Sequence, residues 1–247
     1  MADERKIETT RSRTPAGTRD GKPPAASARS EIAAFLGAAK ETRDLAQAGR
    51  LVIALDATMS RQPTWDRACT IQAEMFAAAG KVGELAMQLV YFRGFGECAA
   101  SKWVSDARAL AGLMTGIDCR GGQTQIRKVL RHAIDETKRR KVQALVYIGD
   151  CVEEDVDALC ARAGELGLLG VPAFVFQEGR DGHAETAFRE IARLTGGAHF
   201  RFDSSSASEL ADLLKATAVY ATGGRGELEK LMRSGDGGAG KLLSHLR

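Results

Sequence analysis

"LVIALDATMSRQPTWDRA", residues 51–68, decides the fold. Five apolar residues, Leu51 to Leu55, follow one another without alternation and stop at Asp56. A strand that is apolar at every position is covered on both faces, as in a parallel sheet. Two hydroxyls follow the carboxylate at alternate positions, Thr58 and Ser60.

Working outward from this strand, apolar runs alternate with helical periodicity. Thr64 can cap a helix to about Ala79, stopped by Gly80. "MQLVYFRG" (87–94) predicts a second strand, and "ECAASKWVSD" (97–106) a third that pairs with it as a hairpin. "DARALAGLM" (106–114) is a short helix. "GGQT" (121–124) then opens an amphipathic helix with Ile126, Val129, Leu130, Ala133 and Ile134 on one face. Strands at 142–150, 171–179 and 199–203 alternate with helices around Val156–Ala163, Ala184–Ile191 and 206–222. This alternation predicts an α/β, doubly wound, mostly parallel six-stranded sheet with one antiparallel edge strand and helices on both faces. The domain spans about 48–222. A disordered tail (1–29) and a leading helix (30–48) precede it, and a Gly-rich tail (223–247), loosely helical at best, follows it.

Composition narrows the function. A net charge of +3 gives no argument for nucleic acid, and the basic cluster at 138–141 suits a solvated helix end. No apolar stretch reaches the roughly 18 residues of a membrane span. The charged N-terminus lacks a signal-peptide core, so the expected location is cytoplasmic. The five cysteines are odd in number and never spaced C-x-x-C, which favours reduced thiols over a disulfide framework or a zinc site. Cys119 and Cys151 flank the loops of interest, but no sequence rule separates them from small buried hydrophobes.

Ligands of open α/β sheets bind at the carboxyl ends of strands, where strand order reverses. Three segments belong there: "DATMS" (56–60), "GGQT" (121–124) and "YIGD" (147–150). Together they offer two carboxylates and three hydroxyls, hard oxygen donors suited to Mg²⁺, Mn²⁺ or Ca²⁺. Each also has a plainer reading. Thr58 and Ser60 can hydrogen-bond their own loop, Thr124 can cap a helix, and Asp150 can be a cap or turn residue. Their joint occurrence at one sheet edge is harder to explain as capping.

The three segments resemble the metal-ion-dependent adhesion site of von Willebrand factor type A (VWA) domains. That family carries Asp-x-Ser-x-Ser after its first strand, a Thr opening a helix after a Gly-rich loop, and an Asp ending its fourth strand. Here Thr58 stands where Ser is commoner, and Cys151 follows Asp150 where the family often has Gly. The resemblance implies a Mg²⁺ or Mn²⁺ site in which Thr58 and Ser60 bind the cation directly. Thr124 would bind directly or through water, and Asp56 and Asp150 largely through water. Asp56, Thr58 and Ser60 would alternate so that their side chains converge on one cation above the strand end. It further implies a non-catalytic protein-binding module in which a partner's Glu or Asp carboxylate completes the shell. An adaptor or assembly role beside an AAA-type ATPase follows from the same resemblance.

Two alternatives stay open. A haloacid-dehalogenase-type phosphatase also begins with Asp at a strand end, and "GDCVEED" (149–155) fits its Gly-Asp-x4-Asp pattern. Thr58, however, replaces the second carboxylate that does that family's acid–base work. The other alternative is a VWA-like scaffold that binds a partner without metal. No Gly-x-Gly-x-x-Gly follows the first strand and no Walker loop appears, which argues against a nucleotide site. Arg61, Gln62, Gln123, Glu153 and Glu154 are expected to rim the metal, His132 to lie on the polar side of its helix, and Trp65 and Trp103 to pack.

Overall fold

In the computed structural model, the described residues are 48–64, 85–203 and 206–246. The expected leading helix, the helix after Thr64 and Trp65 lie outside them. β1 (Gly49–Asp56) is buried at every position after Gly49, as its unbroken apolar run requires. It is flanked by β2 (Leu85–Arg93) and β4 (Ala144–Gly149). β3 (Glu97–Ala100), β5 (Ala173–Glu178) and β6 (Ala198–Phe202) complete a six-stranded sheet in the order β3-β2-β1-β4-β5-β6. Five strands are parallel, and β3 runs antiparallel to β2 at the edge.

β3 is shorter than its apolar pattern suggests. The Ser101 hydroxyl accepts from Leu89 N at 3.0 Å, so a side chain takes the place of a ladder carbonyl. The chain rejoins the sheet only at the Met87–Val104 bridge.

Alternate residues of β1 enter two different cores. Leu51, Ile53 and Leu55 pack with α1 (Ala107–Met114), α5 (Ala207–Arg233) and α6 (Gly237–His245). Val52 and Ala54 pack with α2 (Ile126–Arg139), α3 (Val156–Leu168) and α4 (Gly182–Thr195). Asp106, Asp155, Asp181 and Asp236 cap α1, α3, α4 and α6 by accepting backbone N–H bonds. No helix among the described residues is long and apolar enough to cross a membrane.

The stretch from 223, expected to be loosely helical at best, completes α5 as far as Arg233 and then forms α6 after a short turn. α5 bends at Gly223–Gly224, where Gly224 adopts φ +66°, a conformation that costs glycine little. The chain beyond buries Leu228, Ala239 and Leu242 in the first core. Packing of this apolar stripe overrides the weak helix propensity of a glycine-rich segment.

At the amino ends of the strands, Arg50 and Glu136 form an ion pair, 5% and 6% exposed. The Arg50 guanidinium lies 3.7 Å from the Trp103 ring, whose Nε1 donates to Glu136 Oε2 at 3.0 Å. Trp103 is thus a packing residue, as expected. His132 is half-buried, with its Nε2 2.8 Å from Gln88 Oε1 on β2. His199, on β6, has Nε2 3.0 Å from Gln177 Oε1, and burial pushes its pKa down to about 4.

Removing Glu136 would leave a buried guanidinium unpaired. Glu136→Ala is expected to destabilise the fold by about 3–5 kcal/mol, read as a lower urea midpoint, with Glu136→Gln losing less. His199 imposes a pH dependence of known sign. The unfolded imidazole protonates near pH 6.5 while the folded one resists to about 4. Its contribution is therefore fully present above pH 6.5 and lost as pH falls toward 4. The loss is on the order of 2 kcal/mol once partial exposure is allowed for. Urea unfolding at pH 7 and pH 4.5 should show a smaller pH effect in His199→Gln.

Candidate metal centre

After β1 the chain builds outward to β2 and β3, then crosses back to β4 on the other side of β1. Strand order therefore reverses between β1 and β4, which opens a crevice at their carboxyl ends. Leu55 pairs with Ile148, so Asp56 and Asp150 leave the sheet side by side.

Asp56 is fully buried. Its Oδ1 accepts from Thr58 N at 2.8 Å, and its Oδ2 has no hydrogen-bond partner among the described residues. Burial raises its pKa to about 6, and the nearby Asp150 adds to the rise. Thr58 is buried, with Oγ1 3.1 Å from the exposed Ser60 Oγ. The loop is held by Ala57 N donating to Phe92 O at 3.0 Å and Arg120 N donating to Ala57 O at 3.0 Å. Arg61, expected at the rim, is instead 1% exposed, with Nε 2.9 Å from Glu178 Oε2 at the end of β5. Its stem continues the short 3₁₀ turn (59–64) inward, so the residue anchors the loop rather than greeting a ligand.

Thr124 is not the cap of α2. The first helical residue is Ile126, and Gln125 makes no side-chain cap bond. The free N–H groups are satisfied from the loop after Asp150. Glu154 accepts from Ile126 N and, at 3.1 Å, from Arg127 N. Thr124 N donates to Glu153 Oε2, and Glu153 N donates to Thr124 Oγ1, both at 3.0 Å. Glu153 and Glu154 thus serve the helix dipole as well as the rim. Gln62 and Gln123 are exposed. Gly122 is required by a close approach: a Cβ there would sit 2.1 Å from Gly94 O on the β2–β3 turn.

Asp150 is half-buried, and its Oδ1 also has no partner among the described residues. It caps no helix; Asp155 does that for α3, accepting from Ala158 N at 2.7 Å. The plainer cap readings of Thr124 and Asp150 are thereby removed, while Thr58 does bond within its own loop. Cys151, seen in the sequence beside Asp150 but not as a donor, also approaches Asp56. Its Sγ and one carboxylate oxygen each of Asp56 and Asp150 lie within 4.8 Å of one another. Burial, then the two acids, push this thiol up to about 12. Beneath them the Tyr147 hydroxyl is buried without a hydrogen-bond partner among the described residues, and burial drives its phenol well above the ordinary range.

Hydrogen bonds join Asp56, Thr58 and Ser60, Asp150 lies against Asp56, and Thr124 is tied to the loop that carries Asp150. Two carboxylates that each keep a buried oxygen unpaired among the described residues fit a divalent cation, which would offset the cost of leaving them bare.

No protein-family model and no curated protein matches the sequence. Solved structures do match. A von Willebrand factor type A protein from Catenulispora acidiphila aligns at 16% identity and TM-score 0.59, over 71% of this chain and 43% of the other. An aerotolerance-related membrane protein from Bacteroides fragilis aligns at 18% identity and TM-score 0.54, over 68% and 98%. Proximal thread matrix protein 1 from the mussel byssus, with a zinc-occupied metal-ion-dependent adhesion motif, aligns at 17% identity and TM-score 0.53, over 76% and 51%. The chain has the VWA-type fold, and it spans less than half of the Catenulispora protein.

Asp56→Asn keeps an acceptor for Thr58 N but removes the buried charge. Without divalent cation this variant should be more stable than the parent, by on the order of 1–3 kcal/mol. Thermal unfolding with and without Mg²⁺ checks this, and only the parent should gain stability from the ion.

Proposed function

We propose that this VWA-type domain is a non-catalytic protein-binding module that uses a divalent cation to capture a partner's Glu or Asp carboxylate. Asp56, Thr58, Ser60, Thr124 and Asp150 would hold the cation. Their oxygen donors suit Mg²⁺ or Mn²⁺. When bound, the ion supplies an electrophilic position that a partner carboxylate can fill.

The observation that carries this reading is the pair of acids at the strand-order reversal, each with a buried oxygen that has no hydrogen-bond partner among the described residues. The zinc-occupied adhesion motif of the mussel byssus protein supports a cation at this kind of edge. The surroundings favour a protein partner: Met59 and Phe95 stand out from loops beside the centre, 52% and 84% exposed. The β2–β3 turn carrying Phe95 is bonded to the Thr124 loop through Gly94 O, 3.2 Å from Gln123 N. An adaptor role beside an AAA-type ATPase or another assembly complex is part of the proposal and rests on resemblance alone. The phosphatase reading is disfavoured because Asp155, its second acid after β4, is engaged as a helix cap.

Calorimetric titration of Mg²⁺ and Mn²⁺ into the protein, with and without a glutamate-rich peptide, tests the reading. Saturable binding is expected, strengthened by the peptide and weakened at least about tenfold in Asp56→Ala and Thr124→Ala. Absence of binding even with the peptide overturns it. Hydrolysis of a generic phosphoester with Mg²⁺, lost in Asp56→Ala, overturns it in favour of the phosphatase.

A further inference from the structure

Cys151 brings a thiol to the two acids at this edge. It follows Asp150 directly, in the turn that leaves β4, and is half-buried. Its Sγ and one oxygen from each of Asp56 and Asp150 are mutually within 4.8 Å. In a four-coordinate shell, metal–oxygen and metal–sulfur bonds of about 2.0–2.3 Å place ligand atoms roughly 3.3–3.5 Å apart. Donor atoms up to 4.8 Å apart would therefore close in by as much as about an ångström on binding. Asp56 gives an independent pointer to a ligand. It is fully buried, and its Oδ2 has no partner among the described residues.

We propose that Cys151 is a direct ligand of the centre, and that its sulfur makes this VWA-type site select Zn²⁺ over Mg²⁺. The proposal rests on the reading of this edge as a divalent-cation centre and adds to it the identity of a ligand and the preferred ion. Mg²⁺ demands near-octahedral oxygen ligands and gains little from sulfur, whereas Zn²⁺ accepts mixed oxygen and sulfur donors in a four-coordinate shell. Asp56, Asp150 and Cys151 supply three donors, and the hydroxyls of Thr58 and Ser60 border a fourth position. As the metal–sulfur bond forms, the Cys151 S–H proton leaves to solvent, one proton for each ion bound. The centre then carries two carboxylates and one thiolate against one dication, a net charge of −1. A partner carboxylate would therefore be received less readily on Zn²⁺ than on an oxygen-only Mg²⁺ shell, so the bound metal would set partner affinity.

Cobalt(II) titration of the full chain, with Zn²⁺ and Mg²⁺ as competitors, tests this. Thiolate-bound Co²⁺ shows a near-ultraviolet sulfur-to-metal charge-transfer band that oxygen-bound Co²⁺ lacks. The expected result is a saturable band for one ion, removed by Zn²⁺ but not by equal Mg²⁺. In Cys151→Ala the band should vanish and Zn²⁺ affinity fall about tenfold or more, while Mg²⁺ affinity stays within about twofold. An unchanged far-ultraviolet circular dichroism spectrum keeps the variant interpretable. Saturable Co²⁺ binding without the band overturns the proposal and leaves the cation centre standing. So does a band that survives Cys151→Ala. If neither Co²⁺, Zn²⁺ nor Mg²⁺ binds the parent protein, with or without the glutamate-rich peptide, the cation-centre reading fails as well.

Discussion

Burial of β1 on both faces is the constraint on which the rest depends. A strand with neighbours on both edges and helices above and below must be apolar throughout, and it can carry a polar group only where it leaves the sheet. Asp56 is that group. Because β2 and β4 close on either side of β1, the carboxylate emerges fully buried in the crevice where strand order reverses. The same register delivers Asp150 beside it from β4. Two acids that would repel each other in an empty crevice are thus held together by a sheet whose stability comes from elsewhere.

The loops around the crevice are tied in pairs. Glu153 and Glu154 close the N-terminus of α2, which fixes the Asp150 loop against the Thr124 loop. The Asp56 loop is pinned to β2 and to Arg120 through backbone bonds, and to β5 through the buried Arg61–Glu178 pair. Gly122 lets the Thr124 loop pass against Gly94. A crevice assembled from three distant segments is held with few degrees of freedom, as the proposed cation site would require. Helix caps and ion pairs carry this rigidity, leaving the unpaired carboxylate oxygens and the Ser60 hydroxyl at the crevice.

Much of this was legible in the sequence because each feature has a local physical cause. The unbroken apolar run 51–55 marked a strand covered on both faces, and the α2 stripe of Ile126, Val129, Leu130, Ala133 and Ile134 marked its buried face. The end of α5 beyond Gly224 and the whole of α6 escaped notice because glycine-rich propensity argues against them. Only burial of Leu228 and Leu242 in the core argues for them. The truncation of β3 was equally hidden, since it turns on one hydroxyl, that of Ser101, entering the ladder.

The sequence by itself determined the elements, the two-sided sheet and the three oxygen-bearing segments, because hydrophobic period and residue type are local properties. Tertiary structure alone decided what those segments meet. Arg61 lies within five residues of three candidate ligands in sequence, yet the fold turns it inward to Glu178. Thr124 looks like a helix cap until Glu153 and Glu154 arrive from 27–29 positions away to do the capping. Cys151 reads as a small hydrophobe until the β1–β4 register sets its sulfur beside Asp56. Each outcome depends on contacts between distant segments, and those follow from strand order and burial, which no local pattern encodes.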